Sequence, residues 1–259
     1  MTKKAFAIGA HPDDIEFMMA GTLILLRQAG YETHYMTIAN GSCGTSQYDA
    51  ETITRIRRHE SIHAAEFAGA IYHESLVNDI EIFYEKNMLQ RLGATIRIVA
   101  PEIILTHATV EYMEDHTNTC RLVLTAAFTR GMPNFPVEPP HPPVDQPVTV
   151  YHALPYGLRD SLRRPVQPEM YVDVTGVMRA KRQMLAQHRS QKEWLDASQG
   201  IDSYLVTMEH MCRDVGRLSG CYEYAEGWTR HLHLGYCDEE AHPLLAALPD
   251  KCLAQASVA

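Results

Sequence analysis

The chain has 259 residues, 46% of them hydrophobic and 21% charged; this balance can build a buried core and excludes disordered, collagen-like and coiled-coil chains. With 23 Lys and Arg against 32 Asp and Glu the formal net charge is −9, which disfavours nucleic acid and membrane surfaces as partners, because phosphate-rich partners are held by clustered cations. The six cysteines, at 43, 120, 212, 221, 237 and 252, include no C-x-x-C pair, so neither a zinc ribbon nor a thioredoxin-like site is indicated and free thiols in a reducing compartment are expected.

The first predicted element, Ala5 to Ala10, is continuously apolar, the pattern of a strand buried on both faces of a parallel sheet. Although Lys3 and Lys4 precede it, the run is too short for a signal peptide and nothing approaches a membrane span, so a cytoplasmic protein is expected. A helix is predicted over Asp14 to Gln28, closed by Gly30. The handover between them reads His11-Pro12-Asp13-Asp14-Ile15-Glu16 and stands at the carboxyl edge, where open α/β sheets bind ligands. His11 and Asp14 straddle a turn fixed by Pro12 and can grip one cation at about 2 Å. Asp13 would then stand beside the ion as a base for water. The same residues also read as a plain helix start, with an early proline and carboxylates on the helix dipole, and the hexapeptide by itself supports both.

A second strand is predicted over Thr33 to Asn40. The Asn40-Gly41-Ser42-Cys43-Gly44 loop after it lines the same edge but lacks the G-x-G-x-x-G spacing of a dinucleotide site. The next helix, Glu51 to Ala68, puts Glu60 on the stripe of Ile53, Ile56, Ala64 and Phe67, where a carboxylate needs a partner. Arg57, one turn earlier, is expected to supply it, either as an ordinary ion pair or as a group held by Glu60 and reaching substrate oxygens. A strand at Ala70 to Glu74, a helix at Phe83 to Val99 and a strand at Ile103 to His107 complete the alternation of a doubly wound α/β core, a mostly parallel Rossmann-like sheet with helices on both faces.

After that strand comes Thr106-His107-Ala108-Thr109-Val110-Glu111-Tyr112-Met113-Glu114-Asp115-His116. His116 opens a helix and can reach the edge occupied by His11 and Asp14, giving the two-imidazole, one-carboxylate set with an open position that marks catalytic rather than structural zinc. Of the fourteen histidines, His34, His59, His63, His73, His141, His152, His210 and His242 are expected to be hydrogen-bonded structural residues. Seven of the fourteen prolines fall in Gly131 to Pro147, which must be a loop. Strands are predicted at Val148 to Leu154 and Met170 to Val174, and a helix at Thr175 to His188. The remainder is expected to be mainly helical, with His231-Leu232-His233 alternating like a strand. One domain over residues 1–259 is expected, its C-terminal half extending the sheet or covering an edge.

Taken together, these motifs resemble the PIG-L (LmbE-like) family of zinc-dependent N-deacetylases. The signature His-Pro-Asp-Asp-x-Glu is matched in full by His11 to Glu16, and His-Pro-Asp-His in part by Met113 to His116. Arg57-x-x-Glu60, His188-x-Ser190-Gln191 and Tyr224-Ala225-Glu226 are fainter likenesses, so residues 5–130 carry the resemblance firmly and the rest thinly. The resemblance implies an LmbE-like fold, His11, Asp14 and His116 as ligands of one Zn²⁺, and Asp13 as general base. It further implies hydrolysis of the N-acetyl group of an N-acetylglucosamine-type sugar, and assembly into a homo-oligomer. Met113 departs from the pattern: the family often has a histidine there, so Asp115 has no such imidazole to orient. An oxyanion donor and a proton for the leaving amine are still needed. His231, His233, His107 and Tyr112 are the candidates, and Asp13 can itself return the proton. Asp115 and His233 therefore join Asp13 as expected catalytic groups, and Arg57, His107 and Tyr112 are expected to bind substrate. The alternatives are hydrolysis of a different amide, or a sugar- or nucleotide-binding module whose metal centre has degenerated.

Overall fold

The continuous apolar runs become strands whose alternate residues feed two cores. In β1 (Lys4–Gly9), Ala5 and Ala7 face one side while Phe6 and Ile8 face the other, and both sides are buried. That two-sided burial is why no alternation is visible in the sequence. In the computed structural model, which describes residues 2–192 and 203–254, β1 pairs in parallel with β2 (Glu32–Thr37) and β4 (Ile103–Thr106). β3 (Ile71–His73) and β5 (Thr149–Ala153) extend the parallel part on either side. β7 (Ala225–Arg230), β6 (Met170–Asp173) and β8 (Cys252–Ala254) then add antiparallel strands, giving an eight-stranded sheet in the order β3-β2-β1-β4-β5-β7-β6-β8.

One face is covered by α1 (Asp14–Met18), α2 (Ala20–Gln28), α6 (Met178–Leu185) and α7 (Ser203–Ser219), together with α3 (Ala50–Phe67). The other carries α4 (Lys86–Val99) and α5 (Glu114–Phe128), and a short α8 (Pro243–Ala247) precedes β8. The expected doubly wound α/β architecture is therefore present, with its C-terminal strands extending the sheet. No described helix is long and apolar enough to cross a membrane.

Apart from the short β8, a strand in a stretch expected to be mainly helical, two departures from expectation are coupled. The helix predicted from Asp14 to Gln28 is broken at Met19, whose φ of −135° lies outside the helical region. The break exposes the amide groups of Gly21 and Thr22, and both donate at 2.8 Å to the buried carboxylate of Glu226 on β7. Gly21 is required by that close approach, since a Cβ there would lie 2.5 Å from Val174 and 2.9 Å from Glu226. The second difference is β7 itself, which sits inside the sheet within a stretch expected to be mainly helical. Its sequence, Ala-Glu-Gly-Trp-Thr-Arg, buries a carboxylate and a glycine and so shows neither an apolar run nor alternation. Lys181 neutralises Glu226 at 2.5 Å from α6. The proline-rich segment is irregular, as expected, and is moored to α4 by Arg97, which donates to the carbonyls of Thr129, Met132, Phe135 and His141.

Candidate metal centre and active site

The turn after β1 is organised by one carboxylate. Asp14 accepts the backbone N–H groups of Ala10 at 3.1 Å and His11 at 2.7 Å, which folds the chain back over Pro12. Asp13 pays for that tight path with a φ of 108°, a left-handed conformation that costs a non-glycine residue about 1–3 kcal/mol. Its side chain is held in place in return. The Tyr204 hydroxyl donates to Asp13 Oδ2 at 2.7 Å, and Arg57 Nη2 lies 3.4 Å from the same oxygen while also donating to the Pro12 carbonyl. Arg57 is buried and threads the loop after β2, where a Cβ at Gly41 or Gly44 would come within 2.5 Å of its side chain. Glu16, the last residue of the motif, is buried below and pairs with His188 Nε2 at 3.0 Å.

His11, Asp14 and His116 each present a ligand atom within 4.8 Å of the others. His116 Nε2 is 3.3 Å from Asp14 Oδ1, and His11 Nδ1 is 3.5 Å from Asp14 Oδ2. Two ligand bonds of about 2.0–2.1 Å at the tetrahedral angle span about 3.3 Å, so these separations fit one ion. The electrostatics point the same way. Burial opposes charge on His11, but Asp115 and Asp14 outweigh it and raise its pKa to about 9; burial likewise opposes charge on His116, but Asp14 and Glu111 raise its pKa to about 10. Burial opposes ionisation of Asp14 as well, yet the imidazoles of His116 and His107 hold its pKa well below the usual carboxylate range. Net positive charge is therefore favoured where the three side chains converge. Asp13 differs: burial raises its pKa, with Arg57 acting against the rise, as suits a base.

A cavity of about 570 Å³ opens over this cluster, and His11, Asp13, Asp14, Arg57, Tyr112 and His116 all line it. Three expected residues do not. His107 is only 1% exposed, its Nε2 accepts the Ala10 N–H at 2.9 Å, and it lies behind the cluster rather than facing substrate. Asp115 accepts from His11 Nε2 at 2.9 Å and from the Ile80 N–H at 2.7 Å, so it sits behind His11 and out of the cavity. His233 is displaced because β7 runs antiparallel to β5, with Tyr151 opposite Arg230 and Ala153 opposite Trp228. The residues after Arg230 therefore emerge at the opposite edge of the sheet from His11. There the His233 carbonyl accepts the N–H groups of Tyr236 and Cys237, and His231 pairs with His152 at 3.0 Å. The expected Arg57–Glu60 pair is also replaced. Glu60 accepts the backbone N–H of Ser190 at 2.9 Å and its hydroxyl at 2.7 Å, while Arg57 turns to Pro12 and Asp13. His34, His73, His152 and His242 make structural hydrogen bonds, as expected.

One wall of the cavity was read in the sequence only at Tyr112. Tyr204, Phe17, Tyr156 and Tyr112 form a ladder of rings with centroids 5.1, 5.5 and 5.9 Å apart, ending 5.4 Å from His116. The four come from α7, α1, the turn after β5 and the loop before α5, and no local motif links them. Arg57, Asp79 and Gln191 add polar groups to the same lining.

Residues 6–127 match the family described as PIG-L: GlcNAc-PI de-N-acetylase. The chain is 27% identical over 235 residues to a diacetylchitobiose deacetylase of Thermococcus kodakarensis, spanning 87% of this chain and 82% of that protein. It is 29% identical over 122 residues to a 4-oxalmesaconate hydratase of Pseudomonas putida, spanning 44% of this chain and 47% of that protein. The N,N′-diacetylchitobiose deacetylase of Pyrococcus horikoshii, solved with an inhibitor, has a similar fold, with a TM-score of 0.75, 22% identity, and coverage of 93% of this chain and 88% of that one.

Proposed function

We propose, starting from the PIG-L (LmbE-like) family domain formed by residues 6–127, that this chain is a metal-dependent N-deacetylase acting on an N-acetylated amino sugar. The observation that carries the proposal is the convergence of His11, Asp14 and His116 at one point, with the buried, raised-pKa carboxylate of Asp13 beside it. His11 through Nδ1, Asp14 through its carboxylate and His116 through Nε2 would hold the ion, with Zn²⁺ suited to that donor set. Such an ion supplies a Lewis acid that acidifies water and polarises an amide carbonyl.

The chain's own groups do the rest. Asp13, fixed by Tyr204 and Arg57, takes a proton from water and delivers it to the amine nitrogen as the C–N bond breaks, so that acetate and a free amine leave with the atoms balanced. Burial, then Asp14, raises the pKa of Tyr112, which keeps its phenol a donor for the oxygen that gains charge. Asp115 acts as a positioning residue on His11. The mixed lining suits a sugar ring, with Tyr112, Tyr156 and Phe17 offering ring surface and Arg57 and Asp79 offering partners for hydroxyl groups. All six cysteines are free thiols, which supports a cytoplasmic location.

Acetate release from N-acetylglucosamine-type sugars tests the proposal. The metal-loaded chain should release acetate, a chelated chain should not, and reloading should restore it. Failure of a loaded chain to release acetate from any N-acyl amino sugar would overturn the reading, and absence of about one equivalent of bound ion would favour a binding module instead. The likeness to 4-oxalmesaconate hydratase favours a second reading, addition of water to an unsaturated acid with Arg57 receiving a carboxylate. Loss of alkene absorbance without acetate release would select it.

A further inference from the structure

Behind His116 lies a second group of buried side chains of the metal-binding kind, His107, Glu111 and His116. The His107 and His116 rings stack, with centroids 4.2 Å apart and planes inclined by 22°. Glu111 presents one oxygen to each ring: Oε1 is 3.8 Å from Nδ1 of His107, and Oε2 is 3.6 Å from Nδ1 of His116. On their other side, both Nε2 atoms lie 3.3 Å from Asp14.

The hydrogen bonds distinguish a second ion site from a clamp. Nε2 of His107 accepts the Ala10 N–H at 2.9 Å, a donor it shares with Asp14 Oδ2 at 3.1 Å; a ring that accepts at Nε2 carries its neutral-state proton on Nδ1, facing Glu111. A protonated nitrogen is no metal donor, which removes His107 Nδ1 from any second ion. Nδ1 of His116 is buried with no hydrogen-bond partner, and the carboxylate beside it is that of Glu111. A ligating histidine ordinarily gives its other N–H to a carboxylate, which fixes the tautomer and aims the ring.

We propose that Glu111, whose carboxylate faces Nδ1 of both His107 and His116, is a two-way positioning residue that takes the Nδ1–H of each ring once zinc is held. It thereby fixes Nε2 of His116 as the metal donor and Nε2 of His107 as the acceptor that pins the backbone at Ala10, and the chain binds one ion rather than two. The inference rests on reading His11, Asp14 and His116 as an ion site, and it deepens that reading by assigning what sets the tautomer of one ligand and the position of the turn that carries the other two.

The test uses zinc-loaded full-length chain. Nitrogen-15 spectra of labelled histidine should show a protonated Nδ1 on both His107 and His116. Metal analysis should give one equivalent. In chelator competition, Glu111→Gln should weaken zinc binding 10–100-fold, Glu111→Asp should fall between it and the parent, and stoichiometry should stay at one. Two equivalents in the parent chain, an unprotonated Nδ1 on His116, or a Glu111→Gln affinity within twofold of the parent would each overturn the inference while leaving the ion site standing. Absence of zinc binding in the parent would overturn both. The spectra of the parent chain need no variant to fold.

Discussion

Asp13 concentrates the residue-scale chemistry. A side chain in a left-handed turn, with its carboxylate oxygen fixed by Tyr204 and Arg57, is held outside the His11, Asp14 and His116 group. Asp13→Asn should therefore keep about one equivalent of ion while losing 10²–10⁴-fold in turnover, whereas His116→Ala should lose both; metal analysis beside acetate release separates the two. Tyr204→Phe keeps the ring on Phe17 but removes the donor to Asp13. We expect a loss of about 1–2 kcal/mol in urea unfolding, together with a fall in kcat that exceeds any rise in KM. The closeness of His11 and Asp14 was legible because both lie in one hexapeptide at a strand end. Tyr204 was not, because its hydrogen bond to Asp13 spans 191 residues and nothing local marks a tyrosine in a helix as the partner of a distant carboxylate. His107 was misplaced for the converse reason: its position at the end of β4 was read correctly, but the side it faces is set by the Ala10 N–H it accepts.

At the scale of elements, the break between α1 and α2 and the presence of β7 are one event. Glu226 satisfies the first amides of α2 from inside the sheet, and Lys181 neutralises it. Lys181→Met would strand a buried carboxylate, so a loss of about 3–5 kcal/mol is expected in denaturant unfolding. Sequence periodicity showed neither feature, because a helix interrupted at one residue keeps its apolar stripe and a strand holding a paired carboxylate has none. The junction of β5 with β7 also carries a pH dependence. Burial lowers the pKa of His152 to about 4, while the unfolded value is about 6.5. The folded state thus binds fewer protons, and the stability from this group is complete above about pH 6.5 and is lost as pH falls towards 4, by about 3 kcal/mol in all. Urea unfolding at pH 7.5 and pH 4.5 should show the decline, and His152→Gln, which cannot titrate, should make it shallower.

Across the whole molecule, the parallel strands were legible and the antiparallel extension largely was not. Strands buried on both faces announce themselves as apolar runs such as Ala5 to Ala10 and Ile103 to Leu105, whereas β7 and β8 are placed by pairing with β6 and β5 rather than by their own composition. The proposed ion site would inherit this geometry, because its candidate ligands come from the ends of two adjacent parallel strands, His11 after β1 and His116 in α5 beyond β4. An ion held by both segments binds the folded chain and not the unfolded one, so at a free concentration 100 times Kd it should add about 2.7 kcal/mol of stability, or about 5–10 °C in Tm for a chain of this size. Without the ion, the carboxylates of Asp14, Asp115 and Glu111 favour protonated His11 and His116, so opposite charges remain in contact at the site and the chelated chain is expected to melt cooperatively. Thermal melts with chelator and with zinc should therefore show two cooperative transitions separated by that interval, and His116→Ala should melt at one temperature in both. A parent chain whose Tm ignores zinc would show that the two strand ends do not share an ion.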